Sequence, residues 1–107
     1  MWHKLKVDNV SGIDKTVGEF TVWMVGILPY AKMKIKIHED QNGFYSGVTD
    51  VAIKRKYDGY PEWAGGSGKT IEEALENTIK AFNEMLKEDC ISILTEEDIE
   101  YAEWSDF

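Results

Sequence analysis

The chain has 107 residues, 43% of them hydrophobic, and carries 12 Lys+Arg against 20 Asp+Glu for a formal net charge of −8. That length suits one domain with a single modest core, and four Trp, five Tyr and four Phe argue against disorder. The acidity excludes general binding to a phosphate backbone, which needs clustered Lys and Arg.

The single cysteine, Cys90, excludes an internal disulfide and any zinc site of the CxxC kind. It fits a reducing compartment. The longest apolar stretch, Val22 to Leu28, stops at Pro29 and is far too short to cross a bilayer. The first residues lack the apolar run of a secretory signal. The expectation is a soluble, cytoplasmic protein with no membrane partner.

The charge is unevenly placed. Residues 1–83 contain 11 acids and 11 bases, whereas in residues 84–107 nine carboxylates face Lys87 alone. An acidic C-terminal segment on a neutral body is the result.

Taken in chain order, Trp2 to Val10 alternates weakly and predicts a strand, followed by turn-like Ser11 to Lys15. Glu19 to Leu28 is rich in β-branched and aromatic residues and predicts a buried strand ended by Gly26 and Pro29. The clearest strand is Lys32 to Ile37, with Met33, Ile35 and Ile37 on one face and Lys32, Lys34 and Lys36 on the other. Asn42-Gly43 supplies the positive backbone angles of a tight hairpin. Phe44 to Thr49 and Val51 to Tyr57 form the return strand, bent near Gly47 or Asp50. Asp58-Gly59 turns the chain again, and Tyr60 to Gly66 gives a short third run. Together these predict an antiparallel meander.

Thr70-Ile71-Glu72-Glu73 is a capping box. Ile71, Ala74, Leu75, Thr78, Ile79, Phe82, Met85 and Leu86 then recur on one helical face, which should pack on the sheet. Cys90 to Leu94 is an apolar link, either a strand or an extended segment. Thr95-Glu96-Glu97-Asp98 repeats the capping logic and predicts a short last helix to about Trp104. The fold class is therefore α+β: a β-meander with one long amphipathic helix packed on one face. The whole chain is read as one domain. Residues 1–30 would supply extra N-terminal strands, 31–88 a β-β-β-α core, and 89–107 the acidic segment.

Several constellations reduce to structural readings. Gly65-Gly66-Ser67-Gly68-Lys69-Thr70 invites a phosphate loop, but that motif needs glycine where Trp63 stands. The glycines then simply lead into a capped helix. His3 and His38 lie on different segments without ligand spacing, so no metal and no cofactor are expected. The carboxylates form no acid–base pair readable from spacing, and no catalytic residue is assigned. Lys32, Lys34 and Lys36, with Lys54-Arg55-Lys56 on the partner strand, could make a basic stripe with Tyr30, Tyr45 and Tyr57 nearby. Lysines also shield exposed sheet faces. A contact between this stripe and the acidic tail is a third reading.

The tail is the sharpest feature. In the predicted helix Glu96, Glu100 and Glu103 line one side, while Tyr101, Trp104 and Phe107 offer a neighbouring aromatic side. Charge that steers an encounter and rings that supply buried area suit a basic protein partner. Glu96, Glu97, Asp98, Glu100, Tyr101, Glu103 and Trp104 are the candidate partner-binding residues. The alternative is that the rings pack back onto the domain and the acids are merely solvated.

Met33 to Leu86 resembles the HicB-like antitoxin family. The resemblance lies in the alternating strand Met33 to Asp40, Asn42-Gly43 before Phe44-Tyr45, Pro61, Gly68-Lys69-Thr70, and Glu72-Glu73-Ala74-Leu75. It implies a β-β-β-α unit related to a degenerate RNase H-like or double-stranded-RNA-binding-like core. It also implies neutralisation of a small basic ribonuclease toxin by direct contact. The chain departs from the family in an insertion around Val51 to Gly59 and in the residues before Met33. It also carries an acidic tail where many members have a DNA-binding module, so operator binding is not carried over.

The functional expectation is a non-enzymatic acidic protein that inhibits a basic nuclease or other nucleic-acid-processing protein by direct contact. An antitoxin is one version, a phage-type anti-CRISPR inhibitor another. Direct nucleic-acid binding is not expected, and a homodimer stays open. The alternatives are a relic RNase H-like metal-dependent hydrolase using Glu39 and Asp50, or an RNA-binding domain using the lysine stripe.

Overall fold

The computed structural model describes residues 2–103 and residue 107. Its fold is α+β. An antiparallel meander runs β1 (Lys15–Trp23), β2 (Lys32–Glu39), β3 (Tyr45–Lys54) and β4 (Pro61–Gly68), and α1 (Ile71–Glu88) packs on one face. A 3₁₀ turn at Glu96–Asp98 leads into β5 (Ile99–Tyr101), which pairs with β3. No helix is long and apolar enough to cross a membrane among the described residues.

The strict alternation of β2 is realised as predicted. Met33, Ile35 and Ile37 are buried beneath α1, and the three lysines take the open face. At the hairpin the Asp40 carboxylate accepts from the Asn42 and Phe44 amides at 2.8 and 3.0 Å, and Gly43 adopts φ 82°. That side chain replaces ladder partners which a turn cannot offer.

The predicted helical stripe is the observed one. Ala74, Thr78, Phe82, Met85 and Leu86 are buried, with Ile71, Leu75 and Ile79 packed at the margin. The Thr70 hydroxyl accepts from the Glu73 amide at 3.1 Å, while the Glu73 carboxylate accepts from the Lys69 amide at 3.3 Å. Thr70→Ala is expected to lower stability by about 1 kcal/mol, read by urea denaturation. A melt unchanged within error would mean that Glu73 alone satisfies this helix start.

Glycine lets the helix sit close. Gly66 faces α1, and a Cβ there would stand 2.5 Å from the Asn77 carbonyl carbon and the Thr78 nitrogen. A Cβ on Gly47 would run into the Thr78 hydroxyl, which itself donates to the Ala74 carbonyl at 2.8 Å. The Gly65–Gly68 run is therefore not a loop leading into the helix. It is the second half of β4, in which Gly66 and Gly68 face α1 and allow close helix–sheet contact.

Three further sequence expectations are corrected. Trp2 to Val10 is not a strand: Trp2–Lys4 is a 3₁₀ turn, and Leu5 and Val7 remain exposed. Two exposed side chains give such a segment little to bury. Gln41 ties it down instead, donating to the Trp2 and Leu5 carbonyls, both at 2.9 Å. So residues 1–30 supply one strand. That strand is not buried but lies at the sheet edge, and it begins and ends earlier than the composition suggests, at Lys15 and Trp23, because register with β2 closes at Trp23 opposite Lys32. The residues between form a loop in which Gly26 takes φ 83° and Leu28 is buried.

The third correction concerns the tail. The predicted last helix to Trp104 is absent from the described residues, and Glu96–Asp98 makes only one 3₁₀ turn before β5. The capping chemistry survives: the Asp98 carboxylate accepts from the Thr95 amide at 2.8 Å and its hydroxyl at 2.9 Å. A longer helix would align Glu96 with Glu100, which costs a few tenths of a kcal/mol. A strand instead buries Ile99 in the core.

Candidate functional site

The tail is placed by a fork in the sheet. β2 and β3 pair from Glu39 opposite Tyr45 to Ile35 opposite Thr49, and then part. At the next position the Asp50 carboxylate accepts from the Lys34 amide at 2.8 Å, taking the place of a main-chain partner. Beyond it β3 has an unfilled ladder, which Ile99–Tyr101 completes opposite Ile53–Val51. The Ala102 amide then donates to the Asp50 carbonyl at 2.7 Å. Burial pushes the Asp50 carboxyl above its ordinary range, against the pull of the Lys34 amide.

Two anchors hold the segment before this ladder. Leu94 is buried and its amide donates to the Ile27 carbonyl at 2.8 Å. Tyr30 donates its hydroxyl to Glu96. That bond to a carboxylate is the first cause holding the Tyr30 phenol above its usual range. The Tyr30 and Tyr101 rings lie 6.0 Å apart.

The candidate partner-binding residues are therefore dispersed over a strand and a turn, not over one helical side. Glu96 is spent on Tyr30 and Asp98 on Thr95, which holds its carboxyl below the usual range. Glu97, Glu100 and Glu103 are exposed. Glu100 and Tyr101, being adjacent in a strand, point to opposite faces. Trp104 lies outside the described residues. Phe107 packs back: the Lys36 ammonium sits 4.5 Å from its ring centroid and donates to its main-chain oxygen at 2.6 Å.

A groove of about 500 Å³ opens on the sheet face away from α1. Val48 and Thr49 line it along β3, Trp63 stands on the β4 side, and Glu100 to Glu103 with Phe107 line the other. Trp63 was not among the candidates from sequence. Its signal was present in the alternation of β4, where Ala64 is buried and Trp63 is 39% exposed.

The competing constellations are taken apart by the register. Lys36 lies opposite Val48, whereas Lys54 lies opposite Pro61, so the two basic runs do not face each other. Within β2, Lys32 sits over the Trp23 ring at 5.3 Å, and Lys36 also meets Glu19 at 3.9 Å. Arg55 is not on a basic surface. Its side chain is 8% exposed and binds Asp89 through Nε at 2.9 Å and Glu62 through Nη1 at 2.9 Å. The third reading, a contact between stripe and tail, is met at Lys36 and Phe107.

Glu39 and Asp50, the pair a hydrolase would need, are far apart. Glu39 lies opposite Tyr45, and Asp50 is five residues further along β3, roughly 16 Å. Glu39 is instead 2.6 Å from His3 Nε2, and His38 Nδ1 lies 3.2 Å from the Thr16 hydroxyl. Among the described residues no group of three or more His, Cys, Asp or Glu is placed to hold a metal ion.

The fold and the groove define an α+β protein with an acidic, aromatic hollow on the free face of its meander. No family model, curated protein or solved structure matches the chain.

Proposed function

We propose that the chain is a non-enzymatic binding protein that inhibits a basic nucleic-acid-processing protein by direct contact. An antitoxin or an anti-defence inhibitor of the anti-CRISPR kind are its two versions. The HicB-like relationship belongs to this proposal and rests on the residues quoted above. One observation carries the reading: exposed Glu97, Glu100 and Glu103 are presented by a segment anchored through Leu94 and Ile99, beside the exposed indole of Trp63. Pre-ordered carboxylates lose little freedom on docking, and an aromatic beside them supplies apolar area. Glu39 and Asp50 being apart favours binding over hydrolysis, and Lys36 being engaged by Phe107 and Glu19 weakens the RNA-binding alternative.

Deleting residues 95–107 is a poor test, because it strips Ile99 from the core. Charge reversal at exposed positions is a better one. Tagged protein, crosslinked in cells that naturally make it, should capture a basic nuclease or related enzyme, and purified protein should block that enzyme's activity. Glu97→Lys/Glu100→Lys/Glu103→Lys should lose both. Affinity should fall steeply as salt rises from about 0.05 to about 0.5 M, because screening shortens the reach of exposed charge. Undiminished capture and inhibition by the charge-reversed protein would overturn the reading. So would Mg²⁺-dependent nucleic-acid cleavage by the purified chain that Asp50→Ala abolishes.

A further inference from the structure

We propose that the groove between Trp63 and Glu100 receives an arginine side chain of the basic partner, stacked on the indole and paired with Glu100 and Glu103. This rests on the docking reading above and names its central contact.

The placement follows from register. Trp63 on β4 and Glu100 on β5 both lie directly opposite Ala52, one on each side of β3. Cross-strand partners point to the same face, so indole and carboxylate stand as facing walls with backbones roughly 10 Å apart. Ala52 between them is fully buried and does not line the groove, which is reached instead along Val48. Further along, Val48 is paired with Gly65, which adds no side chain, and the hollow opens there. Glu103 closes the rim on the Glu100 side.

The chain itself shows what such faces hold. Lys32 lies over Trp23 at 5.3 Å, Lys36 over Phe107 at 4.5 Å, and the Arg55 guanidinium over Tyr57 at 5.3 Å. Among the described residues Trp63 carries no such cation, although an indole is the best of these faces for one. A cation from outside meets a ready ring and two carboxylates. Arginine fits better than lysine, since a planar guanidinium can stack and still present paired N–H groups to a carboxylate. The same carboxylates repel phosphate, which sets the groove against a nucleic-acid backbone.

The test uses the whole protein and three probes: acetyl-Gly-Arg-Gly-Arg-Gly-amide and its lysine and citrulline counterparts. Binding is followed by the indole N–H resonance of Trp63 and by tryptophan fluorescence. The arginine peptide should shift the Trp63 resonance and bind about fivefold more tightly than either counterpart. Trp63→Leu and Glu100→Gln should each weaken it about fivefold, while Glu84→Gln, exposed on α1, should leave it unchanged. Glu100→Gln is a surface change that keeps the fold, so the result does not hang on Trp63→Leu alone. Equal binding of the three peptides, or indifference to both groove substitutions, overturns the slot. If charge reversal abolishes partner capture while the peptides fail, docking stands and the arginine slot falls. Retained capture after charge reversal overturns both.

Discussion

Gly66→Ala is expected to destabilise the fold by about 3 kcal/mol, at the upper end of what overpacking costs. The new methyl would meet main-chain atoms of α1, the Asn77 carbonyl carbon and the Thr78 nitrogen, at 2.5 Å. A side chain in the way could rotate, but a helix backbone must move as a body. Restoring ordinary contact requires α1 to recede by about 1 Å, which loosens the packing of Phe82 and Met85 beneath it. Backbone strain plays no part, since Gly66 does not occupy the left-handed region. Gly65→Ala is the matched control. Its methyl would point to the open face and meet only the Gly47 carbonyl oxygen at 3.2 Å. Urea denaturation should show a large fall in midpoint for Gly66→Ala, a small one for Gly65→Ala, and unchanged m-values for both. Equal midpoints for the two variants would remove close helix–sheet approach as the role of this glycine run.

That glycine run also marks where local sequence stops being informative. The alternation of Met33, Ile35 and Ile37, the Asn42-Gly43 turn, the Thr70 cap and the α1 stripe are local patterns, and each reappears in the structure. Whether Gly65 to Gly68 is loop or strand depends on Asn77 and Thr78, which are not neighbours in sequence. The tail fails for the same reason. Thr95 and the acids after it are sound helix-start signals, and they do form one turn. The competing strand arises only because β2 leaves β3 at Asp50, exposing a ladder that Ile99–Tyr101 fills. Trp63 could be placed on the open face by alternation, but its neighbour Glu100 could not. Arg55 read as part of a basic run because its partner Asp89 lies 34 residues away.

That buried pair makes the second large prediction. Arg55→Met is expected to destabilise the protein by about 3–5 kcal/mol, because it strands a buried carboxylate rather than deleting a surface ion pair. The Asp89 side chain is only 7% exposed, and without the guanidinium it keeps one neighbouring donor, the Lys56 amide at 3.3 Å. Glu62 and Glu88 also reach Arg55 but are about half exposed, so water screens them and they add little. The pH dependence separates this cause from lost packing. Hydrogen bonds from Arg55 hold the Asp89 carboxyl below its ordinary value of 3.8, against the opposing effect of burial. Through that window the unfolded chain binds the proton more readily than the native one, so stability rises with pH. The contribution is fully present above the ordinary value and is lost as pH falls through the lowered native one. In Arg55→Met the largest lowering cause is gone and only the Lys56 amide and charge oppose burial, so the variant lacks the part of this pH-dependent contribution that Arg55 supplies. Urea melts of both proteins should therefore differ most near about pH 7 and converge towards about pH 3. Asp89→Asn added to Arg55→Met should recover part of the loss at neutral pH, since it removes the stranded charge. A gap that stays constant with pH would assign the loss to packing of the arginine stem, and Asp89 would then contribute nothing specific to holding β3 against the end of α1.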